Sequence, residues 1–448
     1  MIAPEESSYW ERACQFFRSS GFAESEGSYF IHNKNTEAVK IGVRRQVSVS
    51  VGDGHISHTV AGQTTIVDTS RSGGSIFNIA ENHLRKDAPC FFIVSPDIHR
   101  RSADHSIPLV HLVQPVLEFT FSPGRANGEV TYAQNSIGRQ QGSTMLSIFS
   151  ELPMPVHAHQ AGELKPFSEL AVGWVPDEDD DSFLNRLGEA VSILQEHPDG
   201  KMALTRAYER ESATTRSPFE LYELHARRNG AYAYSHFSCI RENVFSLGTT
   251  PENVVEISDR TLSVDVVAGT CRSGESDAYL ARELLENPKQ IREHRSSLKN
   301  RRNRFAPFCE DGSVHLVQEM RVKKLRNVCH LHSTFTGELL PHVSLFELMG
   351  SIFPLLGARP RELLAVADPE STPHRYYGGV VGHLHRGSGG CFLNIRNALL
   401  KEGSIHAKVG VGVIAESDAY SELIETRDKL SGLLEAIQLW EEPVPSET

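Results

Sequence analysis

The chain has 448 residues, enough for two or three average domains or one large one, and a net charge of −12. Its hydrophobic fraction of 39% and charged fraction of 23% are those of an ordinary globular protein in water. The acidic balance argues against a nucleic-acid partner, which needs a basic face, and no apolar run approaches the ~20 residues that span a bilayer.

Residues 1–10 lack the positive and apolar regions of a signal peptide. Residues 1–175 read as strand-rich. Lys40-Ile41-Gly42-Val43, Val47-Ser48-Val49-Ser50-Val51, Cys90-Phe91-Phe92-Ile93-Val94 and Leu117-Glu118-Phe119-Thr120-Phe121 alternate or run apolar, and Ser122-Pro123-Gly124 punctuates the last of them. His157-Ala158-His159 with Glu163 has metal-like spacing. Its surroundings are Pro-rich and lack the expected flanking glycines, so no metal site is expected there. The acidic run at 176–181 predicts a surface loop capping the next helix, where negative charge is favourable.

From Phe183 the spacing becomes helical, and a strand is predicted at 201–206. Helices are then predicted at 217–229, 276–286, 288–304, 344–351, 359–367 and 418–439. Strands are predicted at 231–237, 244–247, 252–257, 315–318, 378–384, 391–399 and 405–413. The irregular order excludes a Rossmann or barrel reading and leaves a mixed α+β class. Seven widely spaced cysteines with no C-x-x-C predict a reduced, cytoplasmic protein without a disulfide framework. The basic runs at 299–304 and 321–324 read as solvated faces.

Several acidic residues stand in distinctive settings. Glu252 ends Gly248-Thr249-Thr250-Pro251-Glu252, and Glu293 lies in Arg292-Glu293-His294 after Asn287-Pro288. Glu422, Glu425 and Lys429 are spaced i, i+3 and i+7, hence on one helix face, beside a docking stripe of Leu423, Leu430, Leu433 and Leu434. Between them come Ala268-Gly269-Thr270, His330-Leu331, Tyr377-Gly378-Gly379, Asn394-Ile395-Arg396 and Val409-Gly410-Val411-Gly412-Val413. Separated carboxylates with an Arg, Gly-rich turns and lysines suit a small dianion held partly through a divalent cation. Mg²⁺ uses one or two protein carboxylates and completes its shell with substrate and water. Plainer readings stand beside this one. Glu425–Lys429 taken alone is a surface pair worth about 0.3–0.5 kcal/mol. Val-Gly-Val-Gly-Val also suits a strand pressed against another backbone, and a lone His is commonly structural.

The order and spacing of all these pieces, over roughly residues 185–438, resemble the chorismate-utilising enzymes: anthranilate synthase large subunit, isochorismate synthase and salicylate synthase. The resemblance implies one large domain with two antiparallel sheets and an outer helical layer. Residues 1–182 would form its strand-rich part, 183–440 its catalytic part and 441–448 a tail. It implies that Lys201, where anthranilate synthases usually have Gln, is a general base for water, and that Glu252 is the general acid for the leaving C4 hydroxyl. It puts His330 near the ring, and Thr270, Tyr377, Arg396, Gly410, Gly412 and Lys429 on the substrate. Glu293 and Glu425, with Glu422 beside them, would hold Mg²⁺. Ala268 stands where one type of aminodeoxychorismate synthase carries a nucleophilic Lys.

Two departures stand out. The loop after Phe353-Pro354 is about three residues shorter than the family's and lacks its Ser, and the segment 295–304 is unusually basic. The implied activity is Mg²⁺-dependent water addition to chorismate, giving isochorismate and then salicylate plus pyruvate. The alternatives are an enzyme that stops at isochorismate, an amination enzyme served by a separate glutaminase (no G-x-C-x-G occurs in this chain), and a degenerate homologue that binds chorismate without turnover.

Overall fold

Twenty strands, antiparallel in every pairing, form one continuous hydrogen-bonded network in the computed structural model, which describes residues 4–52, 55–60, 62–68, 76–99, 107–125, 128–150, 165–230, 232–273, 276–367 and 376–442. The two expected sheets are two layers of that network. One layer contains the strands Tyr29–Asn33, Tyr234–Arg241, Val244–Thr250, Asn397–Lys401, Ser404–Val413 and Lys201–Glu211. The other contains Cys90–Val94, Val380–His385, Ser388–Leu393, Asn253–Ser258, Thr261–Arg272, Val328–Glu338 and His315–Lys324. The long strands Ala38–Gly52 and Val110–Phe121 belong to both. Their register shifts between Arg45 and Val47, beside Arg44 at φ 55°, and such a bulge bends a strand from one layer into the next. Strands on both sides of residue 182 pair with one another, Tyr29–Asn33 with Tyr234–Arg241.

Alternation along the strands sorts the core into three. Tyr29, Ile31, Phe91, Ile93, Tyr234, Val381 and Phe392 fill the space between the layers, where Tyr29 stacks on Phe91 and Tyr234 on Phe392 with ring centroids 4.9 and 4.0 Å apart. A buried carboxylate also links the layers: the hydroxyl of Tyr29 donates to Glu118 Oε2 at 2.6 Å, and His383 Nε2 donates to the same oxygen at 2.7 Å. The opposite faces are covered by helices. Helix Pro4–Ser19 packs Phe16 and Phe17 with Phe30 and Phe119, and helix Leu345–Ile352 packs Phe346 with Phe92.

The expected strands at 40–43 and 47–51 are two parts of the one strand Ala38–Gly52, and those at 90–94, 117–121, 244–247 and 405–413 and the helices at 217–229, 288–304 and 418–439 are present with small shifts of boundary. Asp179 caps the helix Asp180–Gln195, accepting from the Ser182 N–H at 2.8 Å. Residues 1–175 are strand-rich as expected, and the helices Pro4–Ser19 and Ser136–Ser150, which were not expected, lie among the strands. The expected strand 391–399 is two strands, broken at Asn394-Ile395-Arg396, where Arg396 turns to φ 48°. The helix expected at 359–367 is two short turns, Arg361–Leu363 and Leu364–Ala367, because Ala358-Arg359 pair as a strand with Lys201-Met202 and Pro360 continues that extended backbone. His157, His159 and Glu163 lie outside the described residues. All seven cysteines are free thiols. Among the described residues no helix is long and apolar enough to cross a membrane.

The buried histidines carry a stability prediction. Burial is the main cause holding His111 and His225 down at about 4 and His236 at about 3, against 6.5 for a free imidazole. Between pH 6.5 and 4 the unfolded chain therefore binds protons that the folded chain refuses, so stability falls as pH falls through that window. Scanning calorimetry should show Tm dropping progressively from about pH 6.5 downward. A Tm that stays flat from about pH 7 to 4.5 would refute this.

Candidate active site

The chain crosses between the two layers at two neighbouring points, and each crossing delivers a charged side chain. Thr250-Pro251-Glu252 joins the strands Val244–Thr250 and Asn253–Ser258, and Asn394-Ile395-Arg396 joins Ser388–Leu393 to Asn397–Lys401. The crossings are bonded together: Leu393 N–H donates to Glu252 O at 3.3 Å, and Thr249 N–H to Arg396 O at 3.2 Å. Beside them opens a cavity of about 420 Å³. Lys201, Glu252, Thr270, Glu293, His330, Tyr377, Arg396, Gly410, Gly412 and Lys429 all line it, as does Ala268. Glu422 and Glu425 do not; they stand behind the wall, tied to lysines.

Glu293 comes from helix Pro288–Phe305, started by Pro288 and by the side chain of Asn287, which accepts from the Lys289 N–H at 3.0 Å. The helix places Glu293, Ser297, Arg301 and Arg304 along one face. Lys201 Nζ donates to Glu293 Oε1 at 3.0 Å and to Ser297 Oγ at 3.2 Å. A Cβ on Gly412 would lie 2.5 Å from Lys201 Cε and 3.3 Å from Glu293 Oε1, so only glycine leaves room for this pair. Gly410 is pressed in the same way against Leu204 O and Tyr377 Oη. Of the two roles expected of these glycines, close packing against a neighbouring backbone is seen at Gly410.

Gly269, at φ 81°, makes the bulge that turns Thr270 toward His330. Thr270 N–H donates to Gln290 Oε1 at 2.9 Å, and its hydroxyl lies 3.1 Å from His330 Nδ1. His330 Nε2 accepts from Arg396 Nη2 at 3.2 Å, which leaves the ring proton on Nδ1. Burial, then Arg396, Lys429 and Lys323, hold this imidazole far below its usual range, so it is neutral. Arg396 is itself pushed down to about 10, by burial first, and its Nη1 is buried with no hydrogen-bond partner among the described residues. An orphaned guanidinium nitrogen beside a cavity is a ready place for a carboxylate.

Glu252 is 5% exposed. Burial raises its pKa and Asp265 adds to the rise; Arg301, which donates to Oε1 at 2.8 Å, opposes it with Lys201 and Lys323. Burial also pushes Glu293 up, but Lys201, Lys289 and Lys429 outweigh it and hold the carboxyl below its usual range. Glu422 goes the other way, raised by burial and by Glu425 despite the Lys289 ammonium at 2.7 Å. Glu425 holds Lys429 Nζ at 2.6 Å, and Lys429 also donates to Gly410 O at 3.2 Å. The expected Glu425–Lys429 pair is therefore real but lies at the wall of a cavity, not on open surface.

Glu422 is the carboxylate paired with Lys289, at 2.7 Å, and the charges of Glu293 and Glu425 also help raise that ammonium's pKa against the effect of burial. Their oxygens are the hard donors that Mg²⁺ takes, and two such groups suffice for it. In donor type these carboxylates suit the metal, and in this arrangement each is paired with a lysine. Among the described residues no three His, Cys, Asp or Glu side chains are poised together as ligands; lysines supply the opposing charge.

Sequence reasoning missed Ser297, Arg301 and Lys323. Ser297 and Arg301 are i+4 and i+8 from Glu293, a signal that was present. The two basic runs are not wholly solvated: Arg301 and Arg304 line the cavity, and Lys323 is half-buried, donating to Pro251 O. Burial lowers the Lys323 pKa.

Comparison with known proteins adds a separate line. A family model described as chorismate binding enzyme matches residues 46–435. Anthranilate synthase component 1 of Arthrobacter globiformis is 31% identical over 249 residues, 53% of this chain and 46% of that protein. The same component of Lactococcus lactis subsp. lactis (strain IL1403) is 27% identical over 318 residues, 69% of this chain and 67% of that protein. The chain thus spans from about half to two thirds of the length of these relatives. Anthranilate synthase component I from Streptococcus pneumoniae TIGR4 has the same fold, with a TM-score of 0.72 over 89% of this chain and 92% of that one at 18% identity. The menaquinone-specific isochorismate synthase from Escherichia coli gives 0.67 over 93% and 90% at 16% identity.

Proposed function

This chain belongs to the chorismate binding enzyme family, and from that premise we propose that it adds water to chorismate at C2 to give isochorismate, with loss of pyruvate to salicylate as the following step. The observation that carries the reading is Lys201, a lysine on the cavity wall within 3.0 Å of Glu293 and 3.2 Å of Ser297. In this reading Arg396, Tyr377 and Gly410 receive the enolpyruvyl carboxylate, and Lys429 with Thr270 the ring carboxylate. Lys201 takes the proton of the attacking water as its oxygen bonds to C2. The ring double bonds shift, and Glu252 gives its proton to the departing C4 hydroxyl, which leaves as water. The neutral His330 holds Arg396 and Thr270 in register. Glu293 and Glu425, with Glu422 beside them, would hold Mg²⁺, whose positive charge would clamp the ring carboxylate.

A second reading is attack by ammonia, supplied by a separate glutaminase. It is favoured by the names of the sequence relatives, which are components of anthranilate synthase. The nucleophile separates the two. Water must lose a proton to attack well, so it needs a base such as Lys201; ammonia already carries a free lone pair and needs none. With chorismate and Mg²⁺ but no nitrogen source, mass spectrometry should find isochorismate or salicylate with pyruvate. High ammonium at raised pH should not divert the product. Turnover that requires ammonia or a glutaminase would replace this reading with the amination one, and binding without turnover would replace both with a degenerate homologue.

A further inference from the structure

Four arginines crowd one end of the cavity, and the proposed reaction uses none of them. Arg301 and Arg304 come from helix Pro288–Phe305, and Arg359 and Arg361 from the shortened loop after Phe353. Only Arg301 meets a carboxylate, that of Glu252, and its Nη1 is buried with no hydrogen-bond partner among the described residues. Arg304 donates to the Ile352 carbonyl at 2.7 Å, and Arg359 to the Asp199 carbonyl at 2.9 Å and to the Ser296 hydroxyl, all neutral acceptors. Arg361 is exposed and has no bonded partner among the described residues. Arg304 is likewise exposed, yet partial desolvation, then repulsion from Arg301, Arg359 and Arg361, holds it below the usual guanidinium range, as expected of cations facing one another.

Among the described residues, and leaving Lys408 aside, the cavity wall carries seven Lys and Arg side chains against two carboxylates. A dianionic substrate with one divalent cation leaves that excess untouched, since the cation adds as much positive charge as the substrate adds negative. Unsatisfied guanidinium forks in a partly closed space match an oxyanion with several acceptor oxygens.

We infer that this end of the cavity binds an oxyanion of the phosphate class, either as a free ion beside the substrate or as a substituent on the molecule that fills the cavity. The charge comparison rests on the dianionic substrate proposed above; the convergence of the four arginines does not.

The test is calorimetric titration of the whole protein with inorganic phosphate at low ionic strength. One phosphate should bind per chain, and Arg304→Gln and Arg361→Gln should each weaken it about ten-fold or more, the scale of one lost charge-assisted contact. Arg361 has no bonded partner to lose, so its variant should stay folded by circular dichroism and keeps the test decisive. Phosphate binding that persists under saturating chorismate identifies a free ion; phosphate that competes with chorismate identifies a group carried by the cavity's occupant. No measurable binding, or binding unchanged in both variants, overturns the inference. Lost chorismate turnover with phosphate binding intact would count against the proposed reaction alone, and the reverse against this inference alone.

Discussion

Glu252→Gln should lower chorismate turnover by about 10²–10⁴-fold, the usual contribution of a positioned general acid, and Lys201→Ala should do the same for the base. The two losses have different origins. A Gln keeps the shape of Glu252 and its bond to Arg301 but has no proton to give the departing hydroxyl. An Ala at 201 removes the proton acceptor and also the 3.0 Å hydrogen bond that Lys201 Nζ gives Glu293. The pH dependence distinguishes the acid from a merely structural carboxyl. Burial, helped by Asp265, raises the Glu252 pKa. Glu252 acts in its protonated form, so the rate should fall as pH rises through that raised value, and this limb of the kcat profile should vanish in Glu252→Gln. If both variants keep more than about a tenth of wild-type activity, far short of that contribution, the assignment of acid and base is wrong.

Removal of the metal should have an effect at least as large. Glu293 carries less than its ordinary share of protons, because Lys201, Lys289 and Lys429 outweigh the effect of burial. It is therefore an ionised hard-oxygen donor at neutral pH, the state a Mg²⁺ ligand requires. EDTA should abolish turnover and Mg²⁺ should restore it. Glu293→Gln and Glu425→Gln should each lose turnover while remaining folded by circular dichroism, and added Mg²⁺ should not rescue Glu293→Gln. Full activity in a metal-free preparation would sink the metal assignment outright.

These expectations rest partly on residues readable in the chain and partly on contacts that only folding makes. The amphipathic spacing of Leu423, Leu430, Leu433 and Leu434 located the last helix, and Asn287-Pro288 the start of the helix carrying Glu293. Both are local signals, set by periodicity and by capping chemistry within a few residues. The helix Pro4–Ser19 carried its own signal in the 3–4 spacing of Tyr9, Ala13, Phe16 and Phe17, but the alternating strands around it dominated the reading of that region. The Thr-Pro-Glu and Asn-Ile-Arg segments were legible as distinctive sequences. That each is a crossing between layers was not, because the layers exist only once strands distant in the chain have paired.

Charge behaved likewise. By itself the sequence determined a mixed α and β chain and which residues could bear the chemistry, since residue type, spacing and turn chemistry act locally. Only the tertiary structure decided their company. It seated Lys201 against Glu293 across the space left by Gly412, drew Glu422 and Glu425 behind the cavity wall onto Lys289 and Lys429, and turned Arg301 inward onto Glu252 from a run that reads as a solvated face. The physical reason is that burial and the field of neighbouring charges decide what an ionisable group does, and both are set by residues far away in the chain.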